Sequence, residues 1–347
     1  MKTSHPTATA SLASTASSHR VSRADARRLL SRLQALLALL GIILGAIVLS
    51  PRAADGSNIF LEAGNLTDIL RQVSVIGIIA VAMTFVILTA GIDLSVGSIL
   101  ALSTSVVAIV LTRYSSSVSD TGRISLAIFA ALVAGAAVGA LNGAVVSGAN
   151  IQPFVVTLAT MIGVRGLAKW LTNNANIDIG FGQDVAAVFA ALNSRKVVVI
   201  GSLLVMAAVF WLVLDHTVFG RYVRAVGDNE KAARYTGLPI ARVKIWVYTL
   251  SGLLSALAGI IYAAENHQGN PNAGVAYELD AIAAVVIGGT SLMGGKGSVS
   301  GTVIGTLILG ILTNILRLNN VDSNVEMMVK AVIILLAVAV MSRRKSE

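Results

Sequence analysis

The stretch Gly220-Arg-Tyr-Val-Arg-Ala-Val-Gly-Asp-Asn-Glu-Lys-Ala-Ala-Arg-Tyr-Thr-Gly-Leu-Pro239 is a water-compatible interruption between two long apolar runs. Asp228 or Asn229 is placed to cap a helix, and Glu230 falls in its first turn, where a negative charge suits the helix dipole. Gly237 offers a left-handed stop and Pro239 blocks continuation. The expected element is a helix of about two turns, Glu230 to Thr236, far too short to be stable alone in water. Such a helix, hung between two spans, points to contact with something outside the bilayer. An ordinary basic loop is the competing reading.

The chain around it has the composition of a membrane protein. Of 347 residues 55% are hydrophobic and 12% charged, with mean hydropathy +0.81; soluble domains carry about twice that share of charge. The 32 glycines suit helices that pack closely through small side chains. The absence of cysteine excludes a disulfide framework and a thiolate metal site. His5, His19, His216 and His267 are scattered, with no pair at metal-ligand spacing, so no metal and no catalytic residue is expected. A net charge of +9 would suit nucleic acid, but the basic residues are distributed as membrane topology requires, and no nucleic-acid partner is expected.

A bilayer core asks for about 20 apolar residues per helix. Runs of that kind fall at roughly 33–50, 69–89, 95–112, 124–147, 152–171, 196–215, 244–264, 280–293, 299–316 and 325–341. The expected fold is therefore all-α, a polytopic membrane protein of about ten transmembrane helices, with broken or re-entrant segments near 90–98 and 288–298. Residues 1–32 are expected to form a disordered basic tail, 33–341 a single transmembrane domain, and 342–347 a short C-terminal tail. The run 33–50 reads as a retained anchor, with a cleaved signal peptide as its competitor. With ten spans one side holds Arg20, Arg23, Arg27, Arg28 and Arg32, the basic residues of the 216–243 loop, and Arg343, Arg344 and Lys345. The other side holds Arg52, Arg71, Arg113, Arg123, Arg195, Lys196 and Arg317. The bias places both termini and the 216–243 loop in the cytoplasm.

Three places break the apolar pattern. In Thr89-Ala-Gly-Ile-Asp-Leu-Ser-Val-Gly-Ser98 a carboxylate, Asp93, lies between two spans. It serves either as a simple cap or as part of a broken helix lining a polar pathway. Gly288-Gly-Thr-Ser-Leu-Met-Gly-Gly-Lys-Gly-Ser298 approaches a phosphate-binding loop, but Gly297 follows Lys296 where Ser or Thr is needed, and Thr290 replaces the leading glycine. It reads as a tight re-entrant turn. Leu141 to Thr160 carries Asn142, Asn150, Gln152, Thr157 and Thr160, neutral groups that either tie helices together or suit an uncharged, hydroxyl-rich solute. The candidate pathway residues are Asp93, Ser95, Asn142, Gln152, Phe154, Thr157 and Thr160. No His/Asp/Glu relay and no Ser/His/Asp set accompanies them.

Taken jointly, Ala90–Ser98, Leu141-Asn-Gly with Gln152-Pro-Phe-Val-Val-Thr157, Gly220–Gly227 with Glu230–Gly237, and Ile287–Ser298 resemble the permease subunit of ribose/xylose-type sugar importers of the bacterial ATP-binding cassette class, in the branched-chain amino acid/sugar permease superfamily. They run in the family's order from about residue 60 to 341. The resemblance implies a permease in the bacterial inner membrane that passes a monosaccharide received from a periplasmic binding protein. It implies a second permease copy, identical or a sister chain, and a separate cytoplasmic ATPase, so that the chain is no enzyme and holds no cofactor of its own. It also makes Glu230 to Gly237 the coupling helix, with Ala232 and Ala233 as small contact residues. Arg224, Glu230, Gly237, Leu238 and Pro239 complete the expected ATPase-coupling set. The competing functional class is an ion- or proton-coupled secondary transporter of a small polar solute. The identity of the sugar is not legible.

Overall fold

The computed structural model describes residues 23–113, 119–149, 151–180, 185–193 and 195–343. They form an all-α, polytopic architecture. In chain order the helices are α1 (Arg23–Leu49), α2 (Ala63–Leu88), α3 (Val96–Arg113), α4 (Asp120–Gly148), α5 (Pro153–Leu171), α6 (Val185–Asn193), α7 (Lys196–His216), α8 (Val218–Asp228), α9 (Glu230–Tyr235), α10 (Ile240–Asn266), α11 (Tyr277–Ile287), α12 (Val299–Leu318) and α13 (Ser323–Arg343). The paired strands among the described residues are two residues each, Ile177–Asp178 against Gln268–Gly269.

Helices stand at all ten expected spans. Among the described residues seven of them, α2, α3, α4, α5, α7, α10 and α12, are long and apolar enough to cross a bilayer. The 26 residues of α2 reach about 39 Å at 1.5 Å per residue, more than the roughly 30 Å of hydrocarbon. The span expected at 280–293 is instead a half-span: α11 has 11 residues and stops where Gly289, Gly294 and Gly295 adopt φ of +89°, +85° and +72°, which a helix cannot accommodate. Both predicted breaks are present, at 89–95 and 288–298. At the N-terminus, residues 23–32, expected in an unstructured tail, are the first turns of α1; residues 1–22, 344–347 and Asn150 lie outside the described residues.

Packing follows residue size. Gly135, Gly139 and Gly143 form a stripe along one face of α4, and α10 lies directly against it. A Cβ on Gly135 would come within 2.6 Å of the Ala256 Cβ and the Gly252 carbonyl, and one on Gly139 would strike the Tyr248 carbonyl. Small side chains at four-residue spacing let the two backbones touch, which gains dispersion contact where lipid supplies no hydrophobic drive. α2 and α3 occupy the centre, buried over most of their length, whereas α4, α5 and α7 turn most of their surface outward. Buried hydroxyls Thr84 and Thr302, 2.7 Å apart, link α2 to α12, and Asn65 and Asn314 pair at one end of the same two helices.

Candidate functional site

The break after α2 sets the first polar centre. Ala90 takes a left-handed φ of +59° and the chain turns through Gly91, whose missing side chain leaves room for the Tyr248 hydroxyl at 2.5 Å from where a Cβ would stand. Asp93 follows, fully buried. An unsatisfied carboxylate at bilayer depth costs roughly 2.5–3.5 kcal/mol or more, and both its oxygens are occupied. Oδ1 accepts from the Ser95 amide at 3.0 Å and from the Ser95 hydroxyl at 2.6 Å. Oδ2 accepts from the Ser251 hydroxyl of α10 at 2.7 Å.

The chain of hydrogen bonds continues outward. The Asn142 side-chain amide on α4 donates to Ser95 Oγ at 2.9 Å, and Thr160 on α5 donates to Asn142 Oδ1 at 2.6 Å. Thr157 reaches across to the Ile92 carbonyl at 3.1 Å. Five of the seven sequence candidates, Asp93, Ser95, Asn142, Thr157 and Thr160, thus form one cluster joining the break to α4, α5 and α10. Gln152 and Phe154 stand apart at the exposed start of α5. The buried members hydrogen-bond among themselves and to neighbouring backbone, and Asp93, Ser95, Asn142 and Thr157 are fully enclosed. Ser251 and Tyr248 were missed by sequence reasoning. Their signal is a run of small or polar residues, Ser251, Ser255 and Gly259, at helical spacing inside an apolar span. Among the described residues the Tyr248 hydroxyl, although buried, has no hydrogen-bond partner.

The second centre is α8 with α9. The loop 216–243, expected to carry one short helix, carries two. Thr217 caps α8 by accepting from the Gly220 amide at 3.2 Å, and Val223 and Val226 bury its apolar face. Asn229, one of the two expected caps, accepts from the Ala232 amide at 3.0 Å, and α9 ends before Gly237 at φ +79°. Glu230 pins α9 to α10 through Lys244 at 2.8 Å and braces it internally through Arg234 at 3.3 Å. Partial burial pushes the Glu230 carboxyl up, but the Lys244 and Arg234 charges outweigh it and hold it below the ordinary carboxylate range.

The two alanines part company here. Ala233 is buried in the protein's own core, whereas Ala232 is exposed, and beside it Tyr235 is 90% exposed. Arg224 is ion-paired with Asp215 of α7 and reaches the Gly297 carbonyl at 3.5 Å, so it braces α8 against the glycine turn. Leu238 is half-buried and Pro239 exposed. A cavity of about 480 Å³ between α9, the start of α10 and the end of α4 is lined by Val146, Glu230, Arg234, Arg242 and Lys244.

These two centres meet. The Gly295 amide donates to the Leu88 carbonyl at 3.0 Å, and a Cβ on Gly227 would strike that carbonyl and come within 2.6 Å of the Gly295 amide nitrogen. The last turn of α8, the last residue of α2 and the glycine turn before α12 therefore touch backbone to backbone, five residues before Asp93.

Comparison with known proteins gives a consistent set of relatives. Residues 65–338 match the family described as branched-chain amino acid transport system / permease component. The chain is 46% identical over 316 residues to the ribose import permease protein RbsC of Escherichia coli strain K12, covering 90% of this chain and 94% of that one. It is 42% identical over 312 residues to the ribose import permease protein RbsC of Bacillus subtilis strain 168, covering 88% and 93%. It is 37% identical over 292 residues to the fructose import permease protein FrcC of Rhizobium meliloti, covering 81% and 78%. No solved structure matches.

Proposed function

The chain belongs to the branched-chain amino acid transport system / permease component family, and from that premise we propose that it is the membrane-spanning subunit of an ATP-driven sugar importer. The observation that carries the reading is similarity along nearly the whole chain to ribose import permeases of two distant bacteria. The fructose import relative widens the substrate class to monosaccharides, with ribose as the first to try. The protein sits in the inner membrane with both termini and α9 in the cytoplasm, in line with the basic residues of the 216–243 loop.

In this reading α9 receives an ATPase carried on another polypeptide. Its outer face offers Ala232, Arg234 and Tyr235, and its inner face is fixed by Ala233 and by the Glu230–Lys244 pair. The contact of Gly227 with Leu88 and Gly295 supplies a short mechanical route from that helix to the break holding Asp93. A periplasmic binding protein delivers the sugar, and a second permease copy completes the transporter. The chain uses no cofactor itself; ATP is consumed by the partner.

The test is uptake of labelled ribose in cells lacking this chain, complemented with it and its cognate ATPase. Uptake is expected to stop on ATP depletion and to survive an uncoupler that leaves ATP intact. Uptake that persists without ATP and collapses with the proton gradient would overturn the reading, as would ATP hydrolysis by the purified chain alone.

A further inference from the structure

The cavity of about 480 Å³ beside α9 is set apart by its charge. Three cations line it, Arg234, Arg242 and Lys244, against one carboxylate, Glu230. Glu230 gives one oxygen to Lys244 at 2.8 Å and the other to Arg234 at 3.3 Å, so both its oxygens are committed. Arg242 is exposed and makes no ion pair among the described residues. Positive charge is thus in excess within the cavity, and the opening calls for an anion. No side chain caps α10, whose first residues Ile240 and Ala241 line the same space, so the positive end of its dipole adds to the field. The volume falls in the range of about 300–1,000 Å³ typical of small-ligand sites.

Depth in the membrane narrows the source of that anion. α10 has 27 residues and extends about 40 Å, roughly 10 Å more than the hydrocarbon thickness, so its first turn stands among lipid headgroups. Trp246, 59% exposed, lies one turn further into the bilayer on the side of α10 that carries Arg242. An exposed indole at that depth suits the membrane–water interface. The wall opposite is the end of α4, a helix that turns most of its surface outward to lipid. A phospholipid matches this arrangement in order, with its phosphate at the height of Arg242 and its glycerol and acyl chains beside Trp246. Basic pockets between spans at a membrane face are suited to anionic headgroups.

We propose that this cavity binds the phosphate headgroup of an anionic phospholipid between α9, the end of α4 and the start of α10. Arg242 is the principal contact, and Arg234 and Lys244 supply the supporting charge. The lipid lies on the inner side of α9, away from exposed Ala232 and Tyr235, and so bears on how that helix is seated. The proposal needs only that the chain spans a bilayer and goes beyond the importer reading.

Trp246 reports on the lipid beside it. The chain has three tryptophans, so Trp170→Phe with Trp211→Phe leaves Trp246 as the sole indole emitter. The full chain carrying this pair is reconstituted in phosphatidylcholine vesicles, and quenching by brominated phosphatidylglycerol is compared with quenching by brominated phosphatidylcholine. Phosphatidylglycerol is expected to be preferred at least about fivefold, the gain that one basic residue near the surface gives an anionic lipid. Adding Arg242→Gln is expected to lower that preference about fivefold. Arg221→Gln, which removes an exposed charge of α8 outside the cavity, is expected to leave it unchanged. Equal quenching by the two lipids would overturn the proposal, as would equal losses from the two substitutions, which would assign the effect to diffuse surface charge. A preference abolished by inorganic phosphate, but not by chloride at matched ionic strength, would make the ligand a soluble anion. One abolished by the cognate ATPase would assign the cavity to that partner, and either result also overturns the proposal.

Discussion

At the scale of single residues, Asp93 and Tyr248 make opposite cases. The carboxylate accepts three hydrogen bonds, and removing it strands the Ser95 and Ser251 hydroxyls in a dry interior. Asp93→Ala is expected to destabilise the purified protein by about 2–4 kcal/mol, read as a lowered unfolding temperature in detergent. The buried Tyr248 hydroxyl has no partner among the described residues, so Tyr248→Phe deletes a desolvation cost and leaves the contacts of the ring. The expected change is nil or a gain of about 1 kcal/mol; a lower unfolding temperature for Tyr248→Phe would contradict it. Gly227 is a third case. The Leu88 carbonyl occupies the place of its absent side chain, and Gly227→Ala is expected to lower uptake while the permease remains in the membrane at normal abundance, checked by uptake per permease molecule.

At the scale of elements, α9 is held by electrostatics as well as by packing. The Glu230 carboxyl is held below its ordinary value, so its pairing stabilises the helix above the unfolded glutamate value of about 4.3. That contribution fades as pH falls through the lower folded value. With 41% of the Glu230 side chain exposed, solvent limits it to about 1 kcal/mol at most. Wild type is therefore expected to lose its small advantage over Glu230→Gln as unfolding is followed from pH 7 down through pH 4. Gly237→Pro acts more directly: φ of +79° is closed to proline, which also removes the amide that donates to the Arg234 carbonyl at 3.1 Å. It is expected to abolish uptake with the protein still in the membrane, checked by transport and membrane abundance together.

Both ends of α9 were legible in the sequence because capping is local: Asn229, Glu230 and Gly237 lie within eight residues of one another. α8 was not, although Phe219, Tyr222, Val223 and Val226 have helical spacing, because arginines are interleaved with them and the apolar face is visible only once α2 and α10 are placed beneath it. The same limit hid the partner of Asp93. Ser251 lies 158 positions away, and one hydroxyl in an apolar span looks alike whether it bonds its own helix or another.

At the scale of the whole molecule, charge distribution and apolar run length gave the span positions, since both follow from the bilayer rather than from details of packing. The half-span α11 departs from that rule because Gly289, Gly294 and Gly295 take left-handed φ values that break the helix at the backbone, which apolar run length does not register. Orientation is testable at this scale. A cysteine placed at exposed Tyr235 in this cysteine-free chain, expressed without the partner ATPase that would cover it, is expected to resist a membrane-impermeant thiol reagent in intact cells and to react after lysis. Labelling in intact cells would put α9 outside.

The glycine stripe of α4 has a consequence for biosynthesis. Its mate α10 begins only at Ile240, and at about 5–20 residues per second the ribosome takes several seconds to reach it after α4 has left the exit tunnel. Through that interval the stripe lacks the α10 backbone that fits it, so α4 can pack only on α3 and then on α5 and α6 while α5 to α9 are made. A nascent chain that stops before Ile240 therefore presents a bare glycine face on α4, and the close backbone contact that covers it forms only when the tenth helix arrives.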